Sequence, residues 1–316
     1  MNINKIDLLK KNSSSILVYL IRLFFLLSVS YVVLYPIIFM VCKSLISPED
    51  AIDVTVVWLP RTFSLENFEW AMNALDYWKT LKTTLLIQVL SALIETVSCS
   101  LVAYGIARYD FKGKNIIFGC VLLTVLIPPQ AIIIPLYLNY SDFDVLGILS
   151  LLSQITGTNM KLNLLNTGWS FYLPAILGVG LKSGLFIFIY RQFFLGFPKE
   201  LEEAASIDGA GPYYTFLRIA VPSSGIAFIC VLIFSLITYW NDYYVSVMFF
   251  KENFPLAVSL SQLSSTAGYG GEIFSADIAQ NIKMTSCLIF ILPMLIFYLI
   301  VQRKFIQSIE RVGIVG

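Results

Sequence analysis

The chain has 316 residues, 58% of them hydrophobic and 13% charged, and its 21 Lys and Arg nearly balance 20 Asp and Glu. Too few polar residues are available to cover a water-facing surface, which excludes an ordinary soluble domain and points to a polytopic membrane protein. The absence of His removes the commonest general base and metal ligand. The five cysteines (Cys42, Cys99, Cys120, Cys230, Cys287) lie in or beside apolar runs without C-x-x-C spacing, as small apolar fillers do.

About 30 Å of hydrocarbon is crossed by roughly 20 helical residues. Six segments have that length: Leu23–Val41, Thr83–Ala107, Asn115–Ser141, Leu162–Tyr190, Ile219–Asn241 and Met284–Gln302. An all-α integral membrane protein with six transmembrane helices follows. Residues 1–22 form an N-terminal segment, 23–302 a single six-span domain, and 303–316 a C-terminal tail. The third and fourth segments are long enough that they need not be helical throughout. The basic flank before Leu23 resembles a signal-peptide n-region, but the run is long and "IIFMVCKSL" offers no small-x-small cleavage site, so a retained span is expected.

Lys and Arg in the short connections set the orientation. With the N-terminus in the cytoplasm, the inner segments hold 13 of the 21 basic residues, among them Arg108, Lys112, Lys114, Arg191, Lys199 and Arg218. The first outer loop, about 42–82, is acidic and aromatic. Both termini are then cytoplasmic.

Along the chain, the first polar signal inside a span is Glu95, 12 residues after Thr83; Lys182 lies 13 after Trp169. Both sit about 18–20 Å below the outer end of their spans. Three readings stand: an ion pair between them, two separate groups facing a watery cavity, or structural hydrogen bonding. The third span contains "LIPPQAIIIPLY", where Pro128, Pro129 and Pro135 imply either a structural kink or a bent helix lining a cavity with Gln130 as a polar contact. The fifth ends in "TYWNDYY". Trp240 and its tyrosines fit an interfacial belt, while Trp240, Asn241 and Asp242 together also suit a sugar-handling surface.

The stretch "PKELEEAASIDGAGPYYTFLRIAVP", Pro198–Pro222, interrupts these apolar runs on the cytoplasmic side. Pro198 and the carboxylates of Glu200, Glu202 and Glu203 suit a helix start, and Asp208-Gly209 a helix stop. Ala204 and Ala205 leave a small-residue face. The spacing predicts a short exposed helix: an ordinary interfacial loop helix, or a peg for a partner's groove.

Its spacing resembles the cytoplasmic signature of ABC importer permeases, E-A-A, three residues, Gly, nine residues, I-x-L-P. Here Glu203-Ala204-Ala205 is followed by Gly209 and by Ile219-Ala220-Val221-Pro222, with Val221 in place of Leu. "LIPPQAIIIPLYL", "LLNTGWSFYLP", "FIYRQFFLGFPKELEEAA", "YWNDYY", "FPLAVSLSQL" and "VQRKFIQSIERVGIVG" are similar to segments of the maltose-type carbohydrate permeases, close to the maltose system's smaller permease subunit, over about residues 80–316. The run 141–161 is longer than that family's usual connection, and the ending Ile314-Val315-Gly316 matches its tail loosely.

The resemblance implies the type I ABC importer permease fold, with a coupling helix about 198–213, in a bacterial cytoplasmic membrane. It implies a non-enzymatic subunit importing a carbohydrate, an oligosaccharide by the same likeness. The implied partners are a second related permease subunit, two ATPase subunits and an extracytoplasmic sugar-binding protein. No cofactor is expected on this chain, which lacks a G-x-x-x-x-G-K-[ST] loop; ATP and Mg belong to the ATPase subunits. Glu203, Ala204, Ala205, Asp208, Gly209 and Pro222 would couple to the ATPase, and Gln130, Trp240, Asn241 and Asp242 would belong to the solute pathway. Residues 255–280, with "SSTAGYGGE", would meet the binding protein. A permease for another solute and an ion-coupled secondary transporter are the alternatives; the second leaves the E-A-A loop unexplained.

Overall fold

The computed structural model describes residues 3–53, 55–144, 147–156, 161–263 and 275–313. Among them there is no strand, only two isolated bridges, Ile46–Phe63 and Phe143–Leu162. The helices are α1 (Ile3–Ser44), α2 (Pro48–Ile52), α3 (Glu66–Ala74), α4 (Tyr77–Arg108), α5 (Lys114–Leu126), α6 (Pro129–Ser141), α7 (Ile148–Thr156), α8 (Trp169–Ile176) and α9 (Ser183–Leu195). They continue as α10 (Glu200–Ile207), α11 (Pro212–Ser223), α12 (Gly225–Trp240), α13 (Tyr244–Phe249), α14 (Leu256–Ser261) and α15 (Ala276–Gly313).

Among the described residues, three helical stretches are long and apolar enough to cross a membrane: Val18–Ser44 of α1, Tyr77–Arg108, and Ala276–Arg303 of α15. Two bent pairs raise the number to five: α5 with α6, at 102°, and α11 with α12, at 81°. The chain is therefore multi-pass, but three of the six expected segments are broken. In the third, Ile127 is extended (φ −79°, ψ 118°) because the ring of Pro128 excludes the helical conformation from the residue before it. Pro129 then opens α6 at a position where its missing N–H costs nothing. In the fourth, positive φ at Gly178 and Lys182 ends α8 and resets the chain for α9. In the fifth, a π-helical turn at Phe216–Ala220, then Pro222, Ser224 and Gly225, combine three recognised causes of a kink.

The chain forms two compact units. The first holds residues 1–74 and 264–289. There the buried Asn67 side chain donates to the carbonyls of Ser44 and Ile46 at 3.3 and 2.7 Å, satisfying the end of α1. Ala71, Ile278 and Ile282 form its apolar centre. Asp50 accepts from the amides of Arg61 (2.8 Å) and Thr62 (2.9 Å), closing the loop between α2 and α3.

The second unit holds residues 75–263 and 290–316. Within it α4 packs against α8, α9 and α12. One apolar cluster gathers Cys99, Ala103, Tyr104, Phe186, Tyr190, Phe194, Phe216 and Val231; another gathers Ala92, Ile133, Tyr140, Phe171, Leu236 and Phe249. Gly184 brings α9 onto α5, for a Cβ there would lie 2.7 Å from the Val121 carbonyl oxygen. The expected C-terminal tail continues α15 as far as Gly313.

Candidate coupling site

The polar interruption folds as α10 and α11. Lys199 supplies the carbonyl that accepts from the amides of Glu202 and Glu203, both at 3.0 Å, and three carboxylates fall in the first turn. The helix ends with the amide of Ala210 donating to Ala205 (2.9 Å) and that of Gly209 to Ser206 (3.1 Å). This is a Schellman termination, and Gly209, at φ +81°, takes the left-handed position it requires.

A mostly buried ion pair ties α10 to the end of α4. Arg108 Nε meets Glu202 Oε2 at 2.7 Å, with side-chain exposures of 5% and 19%. Tyr104 donates to the other carboxylate oxygen at 3.0 Å. The same guanidinium donates to the carbonyls of Phe194 (3.2 Å) and Phe197 (3.1 Å) at the end of α9. One arginine thus joins α4, α9 and α10. Glu202 was not among the expected coupling residues, and its partner 94 positions away has no signature in the local pattern.

The two alanines do not share the outer face. Ala205 is buried, while Glu203, Ala204, Ile207, Asp208 and Gly209 are exposed. Ile207 is 86% exposed, and Tyr213 and Leu217 at 76% and 62% continue an apolar surface along the loop. Pro222 is exposed at the bend before α12.

The remaining expected residues are dispersed. Glu95 is fully buried and accepts from the Ser183 hydroxyl, with Tyr239 beside it. Lys182 is exposed at the break before α9 and makes no ion pair with Glu95. Equal depth is therefore insufficient for pairing: Ser183, not Lys182, faces the carboxyl. Gln130 is exposed at the α5–α6 bend. Trp240 is buried and donates to the Phe290 carbonyl at 3.2 Å. Asp242 caps α13 through the amides of Val245 (3.2 Å) and Ser246 (2.9 Å), and Gln88 joins that cap through the Ser246 hydroxyl at 2.7 Å. Asn241 is exposed. Much of the expected binding-protein contact, 264–274, lies outside the described residues.

The family model described as binding-protein-dependent transport system inner membrane component matches residues 97–311, a stretch that includes both α10 and the Arg108 anchor. The chain belongs to this family. Among family relatives, the arabinooligosaccharides transport system permease protein AraQ of Halalkalibacterium halodurans is 26% identical over 313 residues, covering 98% of this chain and 100% of that one. AraQ of Bacillus subtilis is 28% identical over 312 residues, covering 97% and 99%. The melibiose/raffinose/stachyose import permease protein MelC of Bacillus subtilis is 27% identical over 268 residues, covering 84% and 86%. A chain of a bacterial ABC transporter that imports the acidic polysaccharide alginate superposes with a TM-score of 0.73 at 18% identity, over 92% of this chain and 98% of that one. This last likeness shows the shared importer permease fold. As a family member the chain is a membrane-embedded transport component.

Proposed function

We propose that the chain is the permease subunit of an ATP-driven importer of a carbohydrate, of oligosaccharide size, and that it forms half of a pathway with a second related permease. Two ATPase subunits, carrying ATP and Mg, dock on α10, and an extracytoplasmic binding protein delivers the sugar. Six spans would leave both termini on one side of the membrane, and the Lys and Arg of the short connections favour the bacterial cytoplasm for them and for α10. Glu203, Ala204, Ile207, Asp208 and Gly209 present the docking face; Ala205 and Pro222 shape its support. Gln130 and Asn241 contact solute, while Trp240 and Asp242 hold the pathway's walls.

The observation that carries this reading is an exposed, sharply terminated helix bearing Ile207 outward and fixed inward by Arg108. A loop helix made only to connect two spans needs neither the buried anchor nor the apolar tip. The sugar reading rests on relatives that carry arabinooligosaccharides and melibiose, raffinose or stachyose by name.

The test is co-purification of the tagged chain with its ATPase, followed by uptake in vesicles supplied with binding protein and labelled oligosaccharide. Native chain retains the ATPase and imports sugar; Ile207→Asp, at a side chain 86% exposed, abolishes both. Retention and uptake at native levels by that variant would refute docking at α10. Sugar-independent transport by an intact complex would refute the carbohydrate assignment alone.

A further inference from the structure

We propose that the cavity between the start of α5 and the side of α9 binds the phosphate of an anionic phospholipid headgroup. The cavity has a volume of about 510 Å³ and is lined by Asp110, Lys114, Asn115, Ile116 and Arg191, among others. Arg191 stacks on Phe118, with its guanidinium carbon 3.9 Å from the ring centroid. Its Nε is buried and makes no hydrogen bond, and no carboxylate among the described residues pairs with it. The acidic group in the lining, Asp110, is already paired with Lys114 at 3.1 Å and is itself 98% exposed. The lining's carboxylate thus serves Lys114, and the guanidinium held in the aromatic stack has no carboxylate partner among the described residues.

Stacking leaves the guanidinium's in-plane donors unused by the ring, and its Nη groups suit phosphate oxygens. Gly113 opens α5 without a side-chain cap; the Lys114 amide donates to the Phe111 carbonyl, which leaves those of Asn115 and Ile116 to add to the donor set. The surroundings favour a lipid over free phosphate. The cavity adjoins the connection between the apolar helices α4 and α5, where a bilayer around these helices would put its headgroups. Ile116, 74% exposed, and Leu123, 58% exposed two turns on, continue from it along one face of α5. Acyl chains would lie there.

The experiment titrates the intact chain, in a neutral detergent, with short-chain phosphatidylglycerol, short-chain phosphatidylcholine or inorganic phosphate, and reads bound mass and thermal shift. Phosphatidylglycerol should bind and stabilise, the other two should not at equal concentration, and Arg191→Gln should weaken binding about tenfold. Lys114→Gln gives an independent arm that leaves the Phe118 stack intact and should also weaken binding. Exposed Lys251→Gln should bind as the native chain does. Equal binding by native chain and both cavity variants overturns the proposal. So does equal protection by inorganic phosphate, which would mark a free-anion site. Variants that keep the lipid but lose the ATPase subunit would assign the cavity to a protein contact instead.

Discussion

At Gly209 a Cβ would meet no atom within 4 Å, so the demand for glycine comes from the backbone alone, at φ +81°. Left-handed backbone costs most L-residues about 1–2 kcal/mol, while Asn tolerates it. Gly209→Val should therefore loosen the end of α10 and reduce uptake, and Gly209→Asn should keep most of it. Equal losses in vesicle uptake would show that bulk matters and conformation does not. This position was legible because helix stops have a local code. Ala205 was not, since neighbouring residues on a helix are turned 100° apart and only packing decides which one is inside. Glu202 and Glu203 divide in the same way, one to Arg108 and one to the surface. Glu95 and Lys182 failed to pair for a related reason: composition and span length give depth, not rotation about the axis.

Among the elements, the bends matter more than the straight spans. The prolines at 128 and 129 marked one of the breaks, and a fourth segment of excessive length hinted at another. The left-handed turn at Lys182 carried no signal, because lysine rarely adopts it. Gly184 shows how tightly the broken pieces repack: a methyl group there would press on Thr124 and on the Val121 carbonyl of α5. Gly184→Ala should destabilise the protein by about 1–3 kcal/mol, read as a lower thermal midpoint, and Gly119→Ala on α5, where nothing lies within 4 Å, should not. The loop between α2 and α3 offers a pH test. The Thr62 amide, opposed in part by burial and helped by the Arg61 amide, holds the Asp50 carboxyl below its ordinary 3.8. A depressed folded pKa stabilises above the ordinary value, and that stability is lost as pH falls through the folded one. Proteolysis within residues 56–65 should thus rise below about pH 4 in the native chain. Asp50→Asn should be cleaved already at neutral pH.

Across the whole molecule, the proposed function asks force to pass from α10 into the membrane, and Arg108, which touches α4, α9 and α10, would be the joint through which it passes. Docking and transmission are then separable. On the proposed function, docking would use the outward residues of α10, above all Ile207, and transmission would use Glu202, Tyr104 and Arg108, which face inward. Removing one member of a buried ion pair commonly costs 3–5 kcal/mol, but the two members are not equivalent here. Glu202→Gln keeps a hydrogen-bond acceptor for Arg108 and leaves the guanidinium on the carbonyls of Phe194 and Phe197. Arg108→Met strands a carboxylate and both carbonyls at once, and should be the less stable of the two. In the assembled transporter, Glu202→Gln should retain the ATPase on purification and hydrolyse ATP, yet import sugar poorly, because α10 can move without drawing α4 with it. Ile207→Asp should fail one step earlier, at retention. If Glu202→Gln instead lost the ATPase as completely as Ile207→Asp, the anchor would be serving only to hold the docking face in shape. If it imported at the native rate, force would have to reach the spans through α11 and the 81° bend into α12.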